Sequence, residues 1–554
     1  MNLGISQISC IFADILKPKI MKKLPIGVQS FEKLRSEGLL YVDKTKEILQ
    51  LTSSYMVFLS RPRRFGKSLL VSTLDELYKG NQSLFEGLYI YDKWDWTQQY
   101  PVIRIDWTRI KHRSNEDMEE DMSDFLQSIA ADNDITLTRR FAASLFSELI
   151  ESLHRKIGKK VVVLIDEYDK PILDAIDEPE ADGVRKFLQE FYVILKGADD
   201  HLKFVFMTGV TKVAKVSIFS ALNSLEDISL SEQFSSICGY TQEELERDFS
   251  EYISDTAVHL EMTREDLLAN IRRMYDGYSW DGKTSVYNPF STLPFFKKKT
   301  FSNYWFETGT PTFLINRLKK HGLAKTVLEP IIAASSAFDS YDTEALDDVP
   351  LLFQTGYLTV KNKQRVGISS QYTLEVPNME VKESLMEHLL SAYTNYPLST
   401  MSVLGREMLQ QILAFDEEGF TNNMRLMLAG VPYTLKPSKA KNKAKAEAEN
   451  LENEARYHII FQLWMTMLGF NIQSEKITNR GRMDAVLLQD GVAVVVELKY
   501  HAKKKLKTLL KQAIAQIREK RYYEQFLDRK IILLGIAFSG KDVGCRIECR
   551  NVEM

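Results

Sequence analysis

Cysteine is scarce in this chain, with four in 554 residues, at positions 10, 238, 545 and 549. Four are too few for a disulfide framework, which excludes a stapled secreted scaffold and leads to the expectation of a reducing, cytoplasmic setting. Cys545 and Cys549 make one pair with no second pair nearby, which argues against a structural zinc site. No window approaches the ~18 uninterrupted apolar residues of a membrane span, so no membrane partner is expected. Residues 1–20 carry Asp14 before the first lysine and lack the basic start of a signal peptide. They read as a disordered or upstream-start extension, with Met21 the more natural beginning. There is no clear internal repeat and little net charge, since 72 Lys+Arg stand against 75 Asp+Glu. A hydrophobic content of 44% and a charged content of 27% are ordinary globular values, and the length allows several domains.

Against this plain background one segment stands out, Ser60-Arg-Pro-Arg-Arg-Phe-Gly-Lys-Ser68. It follows an apolar run and precedes a helical pattern, which is the strand–turn–helix layout of a phosphate-binding loop. A helix N-terminus offers free backbone N–H groups and a positive dipole end to phosphate. Arg64, Phe65, Gly66, Lys67, Ser68 and Leu69 are the expected nucleotide contacts, with Lys67 on the outer phosphates and the Ser68 hydroxyl on Mg²⁺. Arg61 stands where the usual pattern has its first glycine. About a hundred residues on, Val161 to Ile165 is a continuous β-branched run ending in Asp166-Glu167. That reads as a buried parallel strand with two carboxylates at its C-terminal end, Asp166 for Mg²⁺ and Glu167 to polarise the attacking water.

Four strands alternate with helical patterns in this first part: Val57 to Ser60, Val102 to Asp106, Val161 to Asp166 and Phe204 to Thr208. Alternation of this kind predicts a parallel sheet covered on both faces, with ligands at the C-terminal strand ends. Thr208, at such an end, is a candidate γ-phosphate sensor, with Thr211 the alternative and an ordinary strand cap the bland reading. Residues 239–434 read as mostly helical, broken by aromatic turns such as Tyr275-Asp-Gly-Tyr278 and Tyr287-Asn-Pro-Phe290, which are expected to be local cores. Residues 435–453, rich in Lys, Ala and Glu, read as a linker. Residues 436–554 carry 23 Lys+Arg against 14 Asp+Glu, a net of +9, so the remainder carries −12. A basic tail on an acidic body points to the tail for polyanion contact, or to simple linker composition.

Within 454–554 a second constellation appears. Asp490-Gly491 between apolar runs Ala485 to Leu488 and Val492 to Val496 signals a two-residue hairpin. That turn sets Gln489 opposite Val492 and, counting outward, Asp484 opposite Glu497. Opposed like charges destabilise a sheet unless a hard cation, Mg²⁺ or Mn²⁺, is held between them. Glu497 and Lys499 share one strand face, so the lysine would sit beside the metal. A surface hairpin with an exposed Glu–Lys pair is the bland alternative. The helical pattern Lys507 to Phe526 carries Gln512 and Gln516 and a basic face suited to a phosphate backbone. Glu454 is a candidate third carboxylate, and Glu475 competes for that role.

Both segments resemble a known two-part family. Leu24-Pro-Ile-Gly-Val-Gln-Ser-Phe31, Tyr41-Val-Asp-Lys44, the loop at 60–68 and Leu164-Ile-Asp-Glu-Tyr-Asp169 resemble the AAA-ATPase-like domain of many bacterial proteins. Gly481-Arg-Met-Asp484, Glu497-Leu-Lys499 and Ala515-Gln-Ile517 resemble the PD-(D/E)XK nuclease superfamily. The resemblance implies an α/β chain with a P-loop parallel-sheet ATPase domain at 21–238, a helical lid at 239–434 and a restriction-endonuclease-like α/β domain at 454–554. It implies ATP and Mg²⁺ as cofactors and DNA or RNA as partner. Asp484, Glu497 and Lys499 match the nuclease core, Gln516 the helix glutamine, and Glu454, more loosely, the first-helix acid. The expected activity is an ATPase whose nucleotide state gates metal-dependent phosphodiester cleavage. A signalling or defence-type ATPase whose tail binds nucleic acid without cutting stays open, as does a homo-oligomer.

Overall fold

The computed structural model describes residues 21–111, 114–175, 178–212, 224–305, 330–338, 348–367, 369–394, 398–429, 471–472, 477–478, 481–482, 484–489, 491–501, 503–539 and 542–550, with single positions 315, 318, 461 and 463. Residues 1–20, the 435–453 segment, Glu454, Glu475 and Asp490 lie outside them. By internal contacts the chain forms two units, residues 1–305 with 331–380, and residues 306–330 with 381–554.

In the first unit β1 (Met56–Ser60), β2 (Val102–Asp106), β3 (Val161–Asp166), β4 (Leu202–Gly209) and the short β5 (Glu226–Asp227) form one parallel sheet in the order β2-β3-β4-β1-β5. β1 and β3 are buried along their whole length, as their unbroken apolar runs require of a strand covered on both faces. Three amphipathic helices, Asn115–Asp132, Ala142–Ile157 and Ala181–Gly197, supply one covering layer. Their apolar residues recur at helical spacing, as in Met118, Met122 and Leu126, or Leu188, Phe191 and Leu195, and join β1, β2, β3 and β4 in one core. Phe146 and Phe191 stack at 4.7 Å within it. The helix after the loop, Lys67–Tyr78, packs through Tyr78, stacked on Phe204 at 5.4 Å.

The middle of the chain is helical, as expected, through Gln242–Asp248, Ser250–His259, Arg264–Tyr275 and Pro289–Lys298. It also holds an antiparallel sheet that the sequence reading did not place: β6 (Ile331–Ala334), β7 (Thr359–Val366) and β8 (Ser369–Glu375), in the order β6-β8-β7. β7 hides because only Thr359 and Val360 are buried and everything from Lys361 on is exposed. Such a strand lacks the apolar alternation by which strands are read.

The second unit is built on β9 (Asn471–Ile472), β12 (Ala485–Gln489), β13 (Val492–Tyr500), β14 (Lys530–Ser539) and β15 (Asp542–Arg550), ordered β15-β14-β13-β12-β9, with β10 (Ile477–Thr478) and β11 (Gly481–Arg482) as a separate pair. β13 and β14 are parallel and are joined through the helix Leu506–Lys520, whose Leu509, Ala513, Ile514 and Ile517 are buried. Parallel neighbours require such a crossover. Among the described residues no helix is long and apolar enough to cross a membrane.

Candidate functional site

Gly66 ends the loop at φ +90 and caps the helix Lys67–Tyr78, a conformation that favours glycine. Lys67 is only 3% exposed, and its ammonium donates to the carbonyls of Arg61 and Pro62, both at 3.1 Å, and lies 3.6 Å from Glu167. Two non-glycine residues here, Arg64 (φ +70) and Glu167 (φ +53), sit in the left-handed region. Left-handed non-glycine residues store strain and concentrate at functional sites.

The aromatic turns supply Tyr275, Tyr287 and Tyr304 to a buried local core, as expected, and their neighbours also clamp this loop residue by residue. The Arg61 guanidinium lies 3.9 Å over Trp280 and donates to the carbonyls of Ser60, Ser229 and Phe234. Trp305 Nε1 donates to the Arg63 carbonyl at 3.4 Å, Arg64 stacks on Phe290 at 3.8 Å, and Phe65 meets Tyr278 edge-on at 4.7 Å. Gly356 lies against Pro62, where a Cβ would come within 2.8 Å. Arg61 is thus where it is because its fully buried side chain points into the protein and ties β1 to the chain after β5. Arg61→Gly, a return to the usual loop residue, is expected to destabilise by ~3 kcal/mol or more, since three carbonyls lose a charged donor. Thermal melting of the full chain checks this, and an unchanged midpoint contradicts it.

Asp166 is buried at the end of β3, opposite Asp106 in register, and its Oδ1 has no hydrogen-bond partner among the described residues. The Ser68 side chain lies close enough to lower this carboxyl's pKa. An orphaned carboxylate oxygen beside a hydroxyl is a donor set that suits Mg²⁺. Burial foremost lifts this carboxyl from its ordinary 3.8 to about 6, helped by Glu167 and Asp106 and opposed by Ser68 and Lys67. A carboxyl raised in the folded state holds its proton there while the unfolded chain loses it. Its contribution to stability is therefore present below about pH 4 and lost as pH rises through about 6. Nucleotide-free Asp166→Asn is expected to melt with the wild type at pH 4 and above it at pH 8. Equal melting at both values contradicts this.

Of the remaining candidates, Thr208 is fully buried and its hydroxyl donates to the Leu59 carbonyl at 2.8 Å, while the Thr211 hydroxyl donates to Asp169 at 2.8 Å. Both hydroxyls thus serve the sheet end. Asp169, to which the sequence reading gave no role, also accepts the amides of Val210 and Thr211 and fixes the exit of β4. Phe65, Gly66 and Leu69 line a pocket of about 80 Å³ with Tyr41, Val42 and Tyr240.

In the second unit the hairpin has the register counted from its turn, from Gln489↔Val492 to Ala485↔Val496. Gly491, at φ +79, supplies the left-handed turn residue. The next step outward is Asp484 and Glu497. There the ladder gives way, and the Asp484 carboxylate accepts the Leu498 amide at 2.8 Å. Glu497 is fully buried and accepts from Lys499 Nζ at 2.7 Å. Gln516 donates to the Tyr522 hydroxyl at 3.3 Å. Burial raises the pKa of that hydroxyl; the Gln516 bond opposes this, Glu497 and Asp484 add to it, and Lys499 opposes it. Gln516 is thus hydrogen-bonded to Tyr522, and Asp484, Glu497 and Lys499 act on the same hydroxyl electrostatically. The sequence reading missed Tyr522 because it ran the helix to Phe526. The helix stops at Lys520, where Arg521 turns left-handed (φ +48), and Tyr522–Phe526 form a 3₁₀ turn that brings the tyrosine back. Among the described residues no cluster of three or more His, Cys, Asp or Glu could hold a metal. Asp484 and Glu497 are the two described carboxylates that the sequence reading assigns to a metal here, and a largely hydrated Mg²⁺ needs no more than one or two.

A phosphate loop on a parallel sheet, and a carboxylate–lysine strand end in a separate mixed sheet, define a two-domain chain of ATPase and nuclease types. Residues 25–219 match the family model of the AAA-ATPase-like domain, a predicted AAA-ATPase, and residues 452–546 match that of the PD-(D/E)XK nuclease superfamily. A relative from Azotobacter chroococcum mcd 1, the "Uncharacterized protein in vnfD 5'region", is 38% identical over 523 residues, covering 94% of this chain and 96% of its own. The chain belongs to this family, in which an AAA-ATPase-like domain precedes a C-terminal PD-(D/E)XK nuclease superfamily domain. A chain from the structure of Drosophila ORC bound to AT-rich DNA and Cdc6 aligns at 12% identity with a TM-score of 0.21, over 64% of this chain and 92% of that one.

Proposed function

We propose that this protein binds and hydrolyses ATP in its first unit and cleaves nucleic-acid phosphodiesters in its second, with nucleotide state controlling access to the cutting site. The observation that carries the reading is the strand end of β13, where a fully buried Glu497 pairs with Lys499 one step beyond the hairpin that faces Asp484. Burying a carboxylate is expensive as decoration, and one held by a partly exposed lysine fits a site that handles a cation and a phosphate.

Asp484 and Glu497 would hold a divalent ion, Mg²⁺ or Mn²⁺, which when bound activates water and offsets phosphate charge. Lys499, released from Glu497 as that carboxylate turns to the ion, would donate to the phosphate oxygens. Gln516 and Tyr522 would orient the scissile group from the helix side. In the first unit Lys67 would exchange the Arg61 and Pro62 carbonyls for the outer phosphates. Ser68 and Asp166 would hold Mg²⁺, Glu167 would align water, and the apolar pocket beside Gly66 would receive the base. The deciding experiment incubates the purified full chain with DNA and with RNA, with and without Mg²⁺ and ATP. Cleavage that needs Mg²⁺ and changes with ATP is the expected result. Metal-dependent cleavage indifferent to ATP removes the gating. Binding of nucleic acid without any cleavage favours a non-cutting, signalling-type ATPase.

A further inference from the structure

The nucleic-acid contact expected from composition lies in the basic tail. The first unit carries a cationic surface of its own. From Val349 to Leu374 the chain has no Asp or Glu, yet it carries Lys361, Lys363 and Arg365, inside a body whose first 435 residues sum to −12. All three lie on β7, an edge strand of the β6-β8-β7 sheet, exposed from Lys361 onward and paired with β8.

The ribbon aims these charges. Lys363 and Arg365 stand opposite Tyr372 and Ser370 and share one face, about 7 Å apart along the strand. Lys363 lies 5.4 Å over the Tyr372 ring. Between Val360 and Asn362 the register shifts, so that Lys361 is the extra residue of a bulge, and a bulge re-aims its side chain. Its ammonium reaches the Pro377 carbonyl at 3.1 Å, in a pocket of about 340 Å³ whose lining includes Arg272, Arg273, Asp276, Ser279, Lys283 and Lys361. The carboxylates at this surface are few. Asp276 is buried and accepts from Ser285, Glu375 acts on Lys361 from the ribbon root, and Glu232 is bonded to Lys283. The Arg273 side chain, on the helix Arg264–Tyr275, makes no hydrogen bond or ion pair among the described residues.

We infer that this ribbon and the pocket at its root form a binding surface for the phosphate backbone of duplex DNA, separate from the cutting site. A row of cations running from a pocket to the tip of an exposed strand matches a linear polyanion better than a single small one. Beyond Gln371, where β6 ends, the β7–β8 tip that carries Arg365 is two-stranded, an element that the major groove of B-form DNA admits. The ribbon root adjoins the nucleotide loop, since Gly356 lies against Pro62 just ahead of β7.

The test uses the full chain with Asp484→Ala in EDTA, so that cutting plays no part and failure of the nuclease reading leaves the result intact. Binding of a labelled 30-base-pair DNA duplex is followed by anisotropy across a salt series. Lys363→Gln with Arg365→Gln is expected to weaken binding about tenfold and to lower the salt slope by about 2, because two phosphate contacts are lost. Both positions are exposed, so the fold survives. Lys363→Thr with Arg365→Thr, using a residue that strands favour, should give the same loss. Unchanged affinity and slope in both pairs overturn the proposal. A second arm melts the Lys67→Ala full chain with inorganic tripolyphosphate. If that anion stabilises the protein, Lys361→Gln abolishes the gain and the ribbon pairs bind duplex normally, then the pocket serves a small phosphate ligand and the DNA surface is wrong.

Discussion

Lys499→Ala is expected to lower metal-dependent cleavage by the full chain by ~10³-fold or more, the loss typical of removing a charge that acts only on the developing phosphate charge. The ammonium lies 2.7 Å from a fully buried Glu497, so its removal leaves that carboxylate without this cation as well. A purely structural ion pair would predict something else, a drop in melting temperature with cleavage scaled to the folded fraction. Two measurements separate them. Lys499→Met keeps the apolar stem without the charge and should be equally inactive. Mg²⁺ should still stabilise both variants, because the proposed ligands, Asp484 and Glu497, remain. The ATP-dependent rise in melting temperature should be untouched, since the loop lies in the other unit. Cleavage within threefold of wild type in a folded Lys499→Ala protein contradicts the assignment.

Lys67→Ala is expected to abolish that ATP-dependent rise, which for the wild type should amount to ~3–4 kcal/mol of apparent stability at saturating nucleotide, by linkage. Lys67 is buried among the Arg61 and Pro62 carbonyls and Glu167, so the loop is shaped around a cation and alanine leaves those acceptors unfilled. The nucleotide-free variant should therefore also melt lower. Glu167→Gln divides binding from turnover: the stabilisation persists and hydrolysis falls by ~10²–10⁴-fold, the loss of a positioned base. Retained stabilisation by ATP in Lys67→Ala would show that nucleotide binds elsewhere or not at all.

Much of this architecture was legible because it rests on local pattern. The strands at 57–60, 102–106 and 161–166 are β-branched or buried runs, and the structure places them within a residue of where periodicity put them. The hairpin register followed from Asp490-Gly491 alone, since a two-residue turn leaves no freedom in the pairing. What escaped was set by long-range packing. Arg61 looked like a defect in the loop, because nothing local says that Trp280 and the carbonyls of Ser229 and Phe234 await its side chain. Tyr522 lay within a helical pattern that ends only because Arg521 turns left-handed. The β7 ribbon has almost no buried face, so hydrophobic periodicity had nothing to register.

The most direct test of the central claim compares wild type with Asp484→Ala on DNA and RNA substrates, in Mg²⁺ and in EDTA. The account predicts strand cleavage by wild type in Mg²⁺ alone and none by the variant under either condition. Equal cleavage by both proteins, or cleavage by wild type that survives EDTA, contradicts it.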